Sequence, residues 1–374
     1  MEGMFTVAQK ELSSLLSAMQ PICTKRTTLD ITEYILVHVA PRELILKATD
    51  LEISLQSTMV LESELTESFD FLISGRRIYE LVKEMEGEII CSLRNNQLFL
   101  NSGGIEAALN IKSTDEFPPF PERIENLMSC EGNFLLAMIN KVAFVIPHNN
   151  ASAALNGMLI ECNNSQISMV ATDGHSLACV TSSKYALAQE SKWLIPKRAV
   201  VELKKLLEEH EGNDIFLGTC GNQLVFSGKN FNFFTKLISE QFPHYKPVLA
   251  KEGFLPARLV KDPLLKTLKR ANCLLAGQFV STQFRFTPGI LKVSLNNKEV
   301  GKLDETLTLN EFIGDEIDSR FYSPYLLNGL QVFSDDSVQC FIKNAARPII
   351  FESQDKDYNL TFLVMPVSMT QSEN

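Results

Sequence analysis

The stretch of this sequence best suited to chemistry is Thr172-Asp173-Gly174-His175, which places a carboxylate two residues from an imidazole. Such a pair could act as a general acid and a general base. An Asp-Gly pair after an apolar strand is also an ordinary turn signal. No Gly-x-Ser-x-Gly elbow, glycine-rich phosphate loop or carboxylate cluster accompanies it. We therefore expect a turn in a non-catalytic protein, with a hydrolase that uses Asp173 and His175 as a competing hypothesis.

The eight cysteines and five histidines do not form a recognisable site. No two cysteines form a CxxC pair, and the histidines lack the spacing of zinc ligands. We therefore expect no metal, no cofactor, and reduced cysteines that are mostly buried, as is usual in the cytoplasm. The first residues are neither basic nor followed by an apolar stretch, which predicts no signal peptide.

Composition indicates a globular protein of two or three domains. The 374 residues are 45% hydrophobic and 21% charged, and no apolar run approaches the ~20 residues of a membrane span. The net charge of −10 argues against a protein that grips nucleic acid with its whole surface. The distribution of basic residues therefore matters more than the total.

The same order of predicted elements recurs three times along the chain. Each pass begins with an amphipathic helix, continues with alternating strand pairs and includes a second helix. Ala48-Thr49-Asp50 returns 123 residues later as Ala171-Thr172-Asp173, whereas the third pass matches more weakly. The pattern predicts an α+β fold of three similar domains, residues 1–125, 126–252 and 253–374. The apolar faces of the first helices are predicted to be Leu12, Leu15, Leu16 and Met19; Leu135, Leu136, Ile139, Val142 and Ala143; and Leu264, Leu268, Ala271 and Leu275.

Several predicted helices carry basic residues opposite their apolar face. A charged outward face usually serves only solubility, but here equivalent helices are basic while the whole chain is acidic. If helices and strands form opposite surfaces, a positive helical surface would suit a nucleic-acid backbone. The basic residues concerned are Arg76 and Arg77; Lys197, Arg198, Lys204 and Lys205; and Lys266, Lys269 and Arg270.

The apolar run at residues 362–367 lies near the end of the sequence and allows two interpretations. It could be a final strand that Pro366 ends, because proline cannot donate to the ladder. It could equally be a surface segment rich in methionine and valine that lines a peptide-binding groove. The sequence leaves both open.

Four motifs in order resemble the bacterial DNA sliding clamps, the β subunits of DNA polymerase III. They are Leu155-Asn156-Gly157-Met158, Thr172-Asp173-Gly174-His175 with Leu177-Ala178, Phe242-Pro243-x-Tyr245 and Val364-Met365-Pro366. The resemblance implies a head-to-tail homodimeric ring with antiparallel sheets outside and two helices per domain inside. It implies a non-catalytic processivity subunit that encircles duplex DNA without sequence preference. Its partners would be the polymerase catalytic subunit, the clamp loader, and other replication and repair proteins. The alternative is a repeat-built interaction scaffold without DNA encirclement.

The resemblance also implies three sets of site residues. A groove for short linear peptides would comprise Leu155, Thr172, Gly174, His175, Ser176, Leu177, Pro243, Val248, Ala346, Pro348, Leu363, Val364, Met365, Pro366, Val367 and Ser368. Arg26 and Asn149 would join the basic residues above as DNA-facing positions, and Ala107 and Leu109 would meet Cys273 and Leu274 across the dimer interface. Ser176, Pro247 and Ser368-Met369 depart from the family's usual residues, so we expect an altered peptide preference.

Overall fold

The computed structural model describes residues 4–61, 65, 67–121, 123–276 and 281–367. The chain folds into two compact units, residues 1–136 with 198–237 and residues 137–197 with 238–374. Within the described residues the same order of elements recurs three times, and each pass contains two α-helices. Each pass begins with a strand and not with the predicted amphipathic helix, which comes second. The predicted α+β class and the three similar domains of the clamp fold are confirmed.

The first pass contains eight strands and two helices. They are β1 (Met4–Ala8), α1 (Gln9–Cys23), β2 (Tyr34–Ala40), β3 (Glu43–Thr49), β4 (Ile53–Val60), β5 (Phe69–Ser74), α2 (Gly75–Lys83), β6 (Glu88–Arg94), β7 (Gln97–Ser102) and β8 (Ile105–Lys112).

The second pass repeats the arrangement. Its elements are β9 (Glu125–Glu131), α3 (Gly132–Val142), β10 (Gly157–Cys162), β11 (Ile167–Thr172), β12 (Ser176–Ser182), β13 (Ser191–Pro196), α4 (Lys197–Glu209), β14 (Asp214–Cys220), β15 (Gln223–Ser227) and β16 (Phe231–Lys236).

The third pass ends with the apolar run near the carboxyl end. Its elements are β17 (Leu255–Val260), α5 (Lys261–Cys273), β18 (Thr282–Thr287), β19 (Gly289–Asn297), β20 (Gly301–Leu309), β21 (Ile317–Phe321), α6 (Ser323–Leu330), β22 (Ser337–Ile342), β23 (Ile349–Gln354) and β24 (Asn359–Val364).

The first unit holds one twelve-stranded antiparallel sheet in the order β1-β6-β7-β8-β5-β2-β3-β4-β16-β15-β14-β9. Strand β4 of the first pass pairs with β16 of the second, so one sheet continues from one repeat into the next. Residues 105–110 of β8 pair with β7, whereas β5 pairs only with Ile111 and Lys112. Among the described residues, the other edge of residues 105–110 therefore has no partner strand.

The second unit holds an eight-stranded sheet, ordered β13-β10-β11-β12-β24-β23-β22-β17, and a four-stranded sheet, ordered β20-β19-β18-β21. Strand β12 pairs with β24 just as β4 pairs with β16, which makes the two sheet junctions equivalent. Strand β20 is an end strand, and its exposure alternates along its length. Gly329 of α6 lies so close to β24 that a Cβ atom there would fall 1.9 Å from Cε1 of Phe362.

The predicted apolar faces of the first helices are largely buried, with four corrections. Leu15 and Leu136 are only partly buried, because they lie at the margins of their faces. Ala143 and Leu275 are also only partly buried, and each lies beyond the end of its helix. Helical periodicity gives the direction of a side chain but not the width of the surface that covers it.

All eight cysteines are free, and six of them are buried. Burial raises the pKa of Cys340 to about 12. No helix among the described residues is long and apolar enough to cross a membrane. Over the same residues, no group of three or more histidine, cysteine, aspartate or glutamate side chains could hold a metal ion.

Candidate peptide-binding groove and nucleic-acid face

The turn between β11 and β12 is closed by side chains of the Thr172-Asp173-Gly174-His175 motif. The Asp173 carboxylate accepts hydrogen bonds from the backbone N–H groups of His175 at 2.8 Å and Ser176 at 2.6 Å. The Thr172 hydroxyl donates to the Ser176 carbonyl at 2.7 Å and accepts from the Gly174 N–H at 3.1 Å. Gly174 has a φ of 91°, which only glycine adopts at little cost. Asp173 is therefore a structural residue of a turn, as the first of the two hypotheses predicts.

The equivalent motif of the first pass builds the same turn between β3 and β4. The Asp50 carboxylate accepts from the N–H groups of Glu52 at 2.9 Å and Ile53 at 2.8 Å, and the Thr49 hydroxyl accepts from Leu51 at 3.1 Å. Leu51 has a φ of 74° at the position where the second pass has Gly174. The shared bonds explain why Ala-Thr-Asp recurs in the sequence.

One face of the eight-stranded sheet forms the apolar base of the predicted groove. Thr172 lies opposite Leu177, Leu177 opposite Leu363, and Leu363 opposite Ile350. Directly opposed residues share a face of the sheet, so these side chains form a row. The side chains of Leu177 and Leu363 are buried and belong to an apolar cluster that includes Tyr245.

The exposed walls of the groove come from loops around this row. The Leu155 side chain lies 3.9 Å from the position of a Cβ on Gly174. The backbone N–H of Met365 donates to the carbonyl of His175 at 2.8 Å, and the side chains of Met365 and Val367 are exposed. The apolar run therefore begins as the final strand β24, which ends at Val364, and continues into residues that reach the surface. Its part in a peptide-binding groove stays a prediction.

Pro243 and Val248 belong to the segment of residues 238–254, which we call the connector. Ile238, Phe242, Leu249 and Phe254 of the connector pack against the same cluster as Leu177 and Leu363. Pro243 and Val248 themselves are exposed. The connector therefore brings two predicted groove residues to the apolar side of the sheet, although they are distant from it in sequence.

Tyr325 of α6 closes one side of the Asp173–His175 turn. Its ring stacks on the His175 imidazole with centroids 6.2 Å apart and planes 17° apart. Burial raises the pKa of the Tyr325 hydroxyl, as do the charge of Asp173 and its hydrogen bond with that hydroxyl. The ring contact holds the His175 side chain at the surface.

Three predicted groove residues need correction or qualification. The Val364 side chain is fully buried on the opposite face of β24, because successive residues of a strand alternate between faces. Pro348 is buried too, as are Leu177 and Leu363 at the base of the groove, whereas Ala346 is exposed. Ser176 is buried too, and its hydroxyl donates to Asp173 at 3.1 Å. Ser368 lies outside the described residues.

Two basic residues of α4 do not point outward as the helical wheel predicts. The Lys197 ammonium donates to the carbonyl of Ile146 at 2.8 Å, and burial lowers its pKa. The Arg198 guanidinium donates to the fully buried Asp50 carboxylate and, at 2.7 Å, to the carbonyl of Pro21. Side chains in the first turn of a helix tilt toward its N-terminus, where they reach neighbouring loops. Both predictions of an outward-facing residue are therefore wrong.

The other predicted DNA-facing residues differ in their ion pairs. Arg76, Lys205 and Arg270 bind carboxylates within their own unit: Glu80 at 2.8 Å, Glu202 at 3.0 Å and Glu305. The hydrogen bond from Arg270 lowers the pKa of Glu305. Five further basic residues have no ion pair among the described residues. These are Arg26, Arg77, Lys204, Lys266 and Lys269, of which Lys204 alone is partly buried.

The four predicted interface residues lie at open positions of their own units. Ala107 and Leu109 are half-buried on β8, within the residues that have one free edge. Cys273, the last residue of α5, is exposed, and Leu274 follows it, partly buried.

Three residues that lie around the predicted groove were not identified as such from the sequence. The sequence pointed to Tyr325 only weakly, because this residue lies in the second helix of the third pass, which matches the other two passes less well. Tyr245 was part of a quoted motif but was not assigned a role. Glu161, which accepts a hydrogen bond from Tyr245, gave no signal because it is an ordinary strand residue by pattern.

Comparison with known proteins agrees with this arrangement over the whole chain. Models of the DNA polymerase III beta subunit match the N-terminal domain at residues 3–121, the central domain at 130–244 and the C-terminal domain at 250–368. The beta sliding clamp of Pseudomonas aeruginosa is 25% identical over 370 residues, which cover 98% of this chain and 100% of that protein.

Solved structures show the same fold. A Pseudomonas aeruginosa sliding clamp bound to griselimycin has a TM-score of 0.91 and 24% identity, and the match covers 99% of this chain and 100% of that one. The Bacillus subtilis sliding clamp has a TM-score of 0.91 and 21% identity over 99% of this chain and 100% of that one.

The fold and the groove thus define a DNA sliding clamp, a processivity factor that performs no catalysis itself. The three consecutive family matches fix the assignment further: the chain belongs to the DNA polymerase III beta subunit family.

Proposed function

We propose that two copies of this chain close head to tail into a ring around duplex DNA. The ring tethers the replicative polymerase and other replication and repair proteins, and a clamp loader places it on the DNA. The match to three consecutive beta-subunit domains along the whole chain carries this proposal. A ring is held on DNA by topology, so weak contacts to phosphates suffice even with a net charge of −10.

The unpaired basic side chains are the best candidates for contacts with DNA. Arg26, Arg77, Lys266 and Lys269 are exposed, and so is Asn149, which lies in the loop after α3. Arg76, Lys205 and Arg270 can exchange a carboxylate for a phosphate, because an exposed ion pair is worth only about 0–1 kcal/mol. Lys197 and Arg198 drop out of the proposed DNA face.

The open edges of β8 and β20 support the head-to-tail dimer. Unpaired strand edges are liable to pair with other chains, and closure of a dimer would cover them. We place Ala107 and Leu109 of one copy against Cys273 and Leu274 of the other. Leu109→Asp should convert the dimer to a monomer in sedimentation analysis, whereas Ile290→Asp, a similar change elsewhere on the surface, should not.

The groove in the second unit is the proposed site for short peptides of partner proteins. Its apolar base at Leu177 and Leu363 accepts hydrophobic side chains, while His175 fixes the peptide backbone. A Pseudomonas aeruginosa clamp structure contains bound griselimycin, so this compound is a second probe to test against the present chain. The three domains are proposed to span residues 1–125, 126–252 and 253–374, and the protein is proposed to work in the cytoplasm.

Retention on circular DNA tests the ring. The clamp is loaded on a nicked circle with its matching loader and separated from free protein by gel filtration. We expect the clamp to stay on the circle and to be lost once a restriction enzyme linearises it. Equal retention on both forms would favour a protein scaffold that binds DNA without encircling it.

Peptide binding is tested separately. Short overlapping fluorescent peptides that tile the polymerase III catalytic subunit of the same genome are screened by anisotropy. The tightest one is the reference peptide, and a version with its apolar side chains changed to alanine is the control. Met365→Asp should abolish binding of the reference peptide and leave the dimer intact, because Met365 is exposed. Binding unchanged by Met365→Asp would place the peptide site elsewhere.

A further inference from the structure

The connector packs on one face of the eight-stranded sheet and is fixed there at its start, its middle and its end. At its start, the N–H of Ile238 donates to the carbonyl of Leu194 at 2.8 Å. Near its end, the Lys251 ammonium binds the Glu352 carboxylate at 2.6 Å and lies 4.4 Å from the centre of the Phe341 ring. The middle attachment differs from these two, because it joins a tyrosine to a largely buried carboxylate.

The middle attachment is the hydrogen bond from the Tyr245 hydroxyl to the Glu161 carboxylate, 2.5 Å long. The Glu161 side chain is 11% exposed, and the ammonium groups of Lys192 and Lys246 lie 3.1 and 3.7 Å from it. Burial by itself would raise the pKa of Glu161, but the bonds from Tyr245 and Lys192 and the charge of Lys246 outweigh it and lower the pKa. This stabilisation is present at neutral pH and is lost only as the pH falls through that lowered value.

The Tyr245 ring joins this attachment to the base of the groove. It is 7% exposed and lies in one cluster with Leu177 and Leu363. Pro243 lies two residues before it, and Val248 donates its backbone N–H to the Tyr245 carbonyl at 3.0 Å. A shift of Tyr245 along the sheet would therefore move both exposed groove residues of the connector together.

We propose that Tyr245 and Glu161 are positioning residues for peptide binding, which set the placement of Pro243 and Val248 against the apolar base of the groove. The inference rests on the groove of the proposed function. Neither residue needs to touch the peptide. Tyr245 acts through the connector, and Glu161 acts through Tyr245. The peptide side chain that this placement recognises is an apolar one, because Pro243, Val248, Leu177 and Leu363 offer it no charge.

Two single substitutions and their combination test the proposal with the full-length clamp. Tyr245→Phe removes the donor, Glu161→Leu removes the acceptor, and Tyr79→Phe in the first unit is a matched control, since the structure records no hydrogen bond of that hydroxyl among the described residues. Fluorescence of the single tryptophan, Trp193, reports whether the second unit remains folded. The affinities for the reference peptide and for its alanine control are measured by anisotropy.

We expect Tyr245→Phe and Glu161→Leu each to weaken the reference peptide about tenfold, which corresponds to about 1.4 kcal/mol. The double variant should lose no more than either single one, because both remove the same bond. Glu161→Gln, which keeps an acceptor, should retain most of the affinity. The alanine control peptide should bind all of these variants alike.

Two results would overturn the proposal. One is wild-type affinity in both single variants. The other is an equal loss for the reference and the alanine peptide, which would mean a general disturbance of the groove. Failure of the wild-type protein to bind any tiled peptide would instead refute the proposed groove itself, so the two failures can be told apart. Should Tyr245→Phe fail to fold, Glu161→Leu and Glu161→Gln decide the matter by the same criteria.

Discussion

Replacement of Arg198 by methionine should destabilise the first unit without weakening DNA binding. The guanidinium joins helix α4 to the Asp50 turn and to the end of α1 through Asp50 and the carbonyl of Pro21. Methionine keeps much of the apolar volume of the side chain but cannot neutralise the carboxylate. Asp50, whose side chain is fully buried, would be left with two backbone N–H donors and with Lys25, whose ammonium lies 3.9 Å away.

The expected cost follows from the burial of the two partners. Removing one partner of a fully buried ion pair costs about 3–5 kcal/mol. The Arg198 side chain is 29% exposed, and Asp50 keeps its backbone hydrogen bonds, so we expect about 2 kcal/mol. Combining Asp50→Asn with Arg198→Met removes both charges and should bring stability back to within about 1 kcal/mol of the wild type.

Native-state hydrogen exchange measures the loss of stability separately in each part of the protein, which is needed because the two units need not unfold together. A loss of 2 kcal/mol should speed the exchange of the protected amides in β3 and α1 about thirtyfold. Arg77→Met, an exposed change on α2, should leave that exchange nearly unchanged. The two variants should differ in the opposite sense in DNA binding. Arg77→Met should lower the slope of log affinity against log salt concentration by about 0.9, whereas Arg198→Met should leave that slope unchanged.

The prediction fails in either of two cases. If Arg198→Met leaves the exchange of β3 and α1 unchanged, the bond to Asp50 contributes no net stability. If it lowers the salt slope as much as Arg77→Met does, Arg198 contacts phosphate after all, and the outward-facing prediction from the helical wheel would be restored.

Three further outcomes are expected. Gly329→Ala should destabilise the second unit by about 3 kcal/mol, because the new methyl group overlaps the Phe362 ring. Adding Phe362→Leu to the same chain should recover part of the loss, as measured by denaturation followed by Trp193 fluorescence. An unchanged denaturation midpoint in Gly329→Ala would contradict the packing. Gly174→Ala should cost about 1 kcal/mol at its φ of 91° and weaken the reference peptide several-fold by anisotropy. Unchanged affinity would contradict a role of this turn in the groove. Iodoacetamide should label Cys273 in dilute protein and spare it at concentrations where the dimer forms, while Cys340, with a pKa of about 12, stays unlabelled. Mass spectrometry after digestion measures the labelling of both residues. Labelling of Cys273 that is independent of concentration would contradict its place in the interface.

Periodicity and turn chemistry made much of the fold predictable. Leu12, Leu16 and Met19 follow a helical repeat, and all three are buried on α1. The predicted Asp173-Gly174 turn lies where the chain reverses, because the positive φ of Gly174 requires a residue with little steric cost. Such signals are local, so they can be read along the chain without knowledge of its neighbours.

The family motifs located the groove but not the direction of each side chain. Val364 belongs to a matching motif, yet its side chain lies on the far face of β24. Strand alternation fixes that face only once the register with β12 is known, and the register depends on residues almost two hundred positions away. The position of Tyr325 beside His175 depends on distant parts of the chain in the same way.

The sequence by itself determined the repeat, the class of the fold, the turn that Asp173 closes and the family, since each depends on residue order at short range or on motifs in series. Only the tertiary structure decided which charged side chains are paired with other groups of the same protein. A helical wheel places Arg198 on an outer face, but the partner that turns it inward is Asp50, 148 residues away in the chain. Likewise, Glu161 is an ordinary strand residue until Tyr245 and two lysines gather around it. Burial and electrostatic pairing depend on distance in space, which residue order alone does not give.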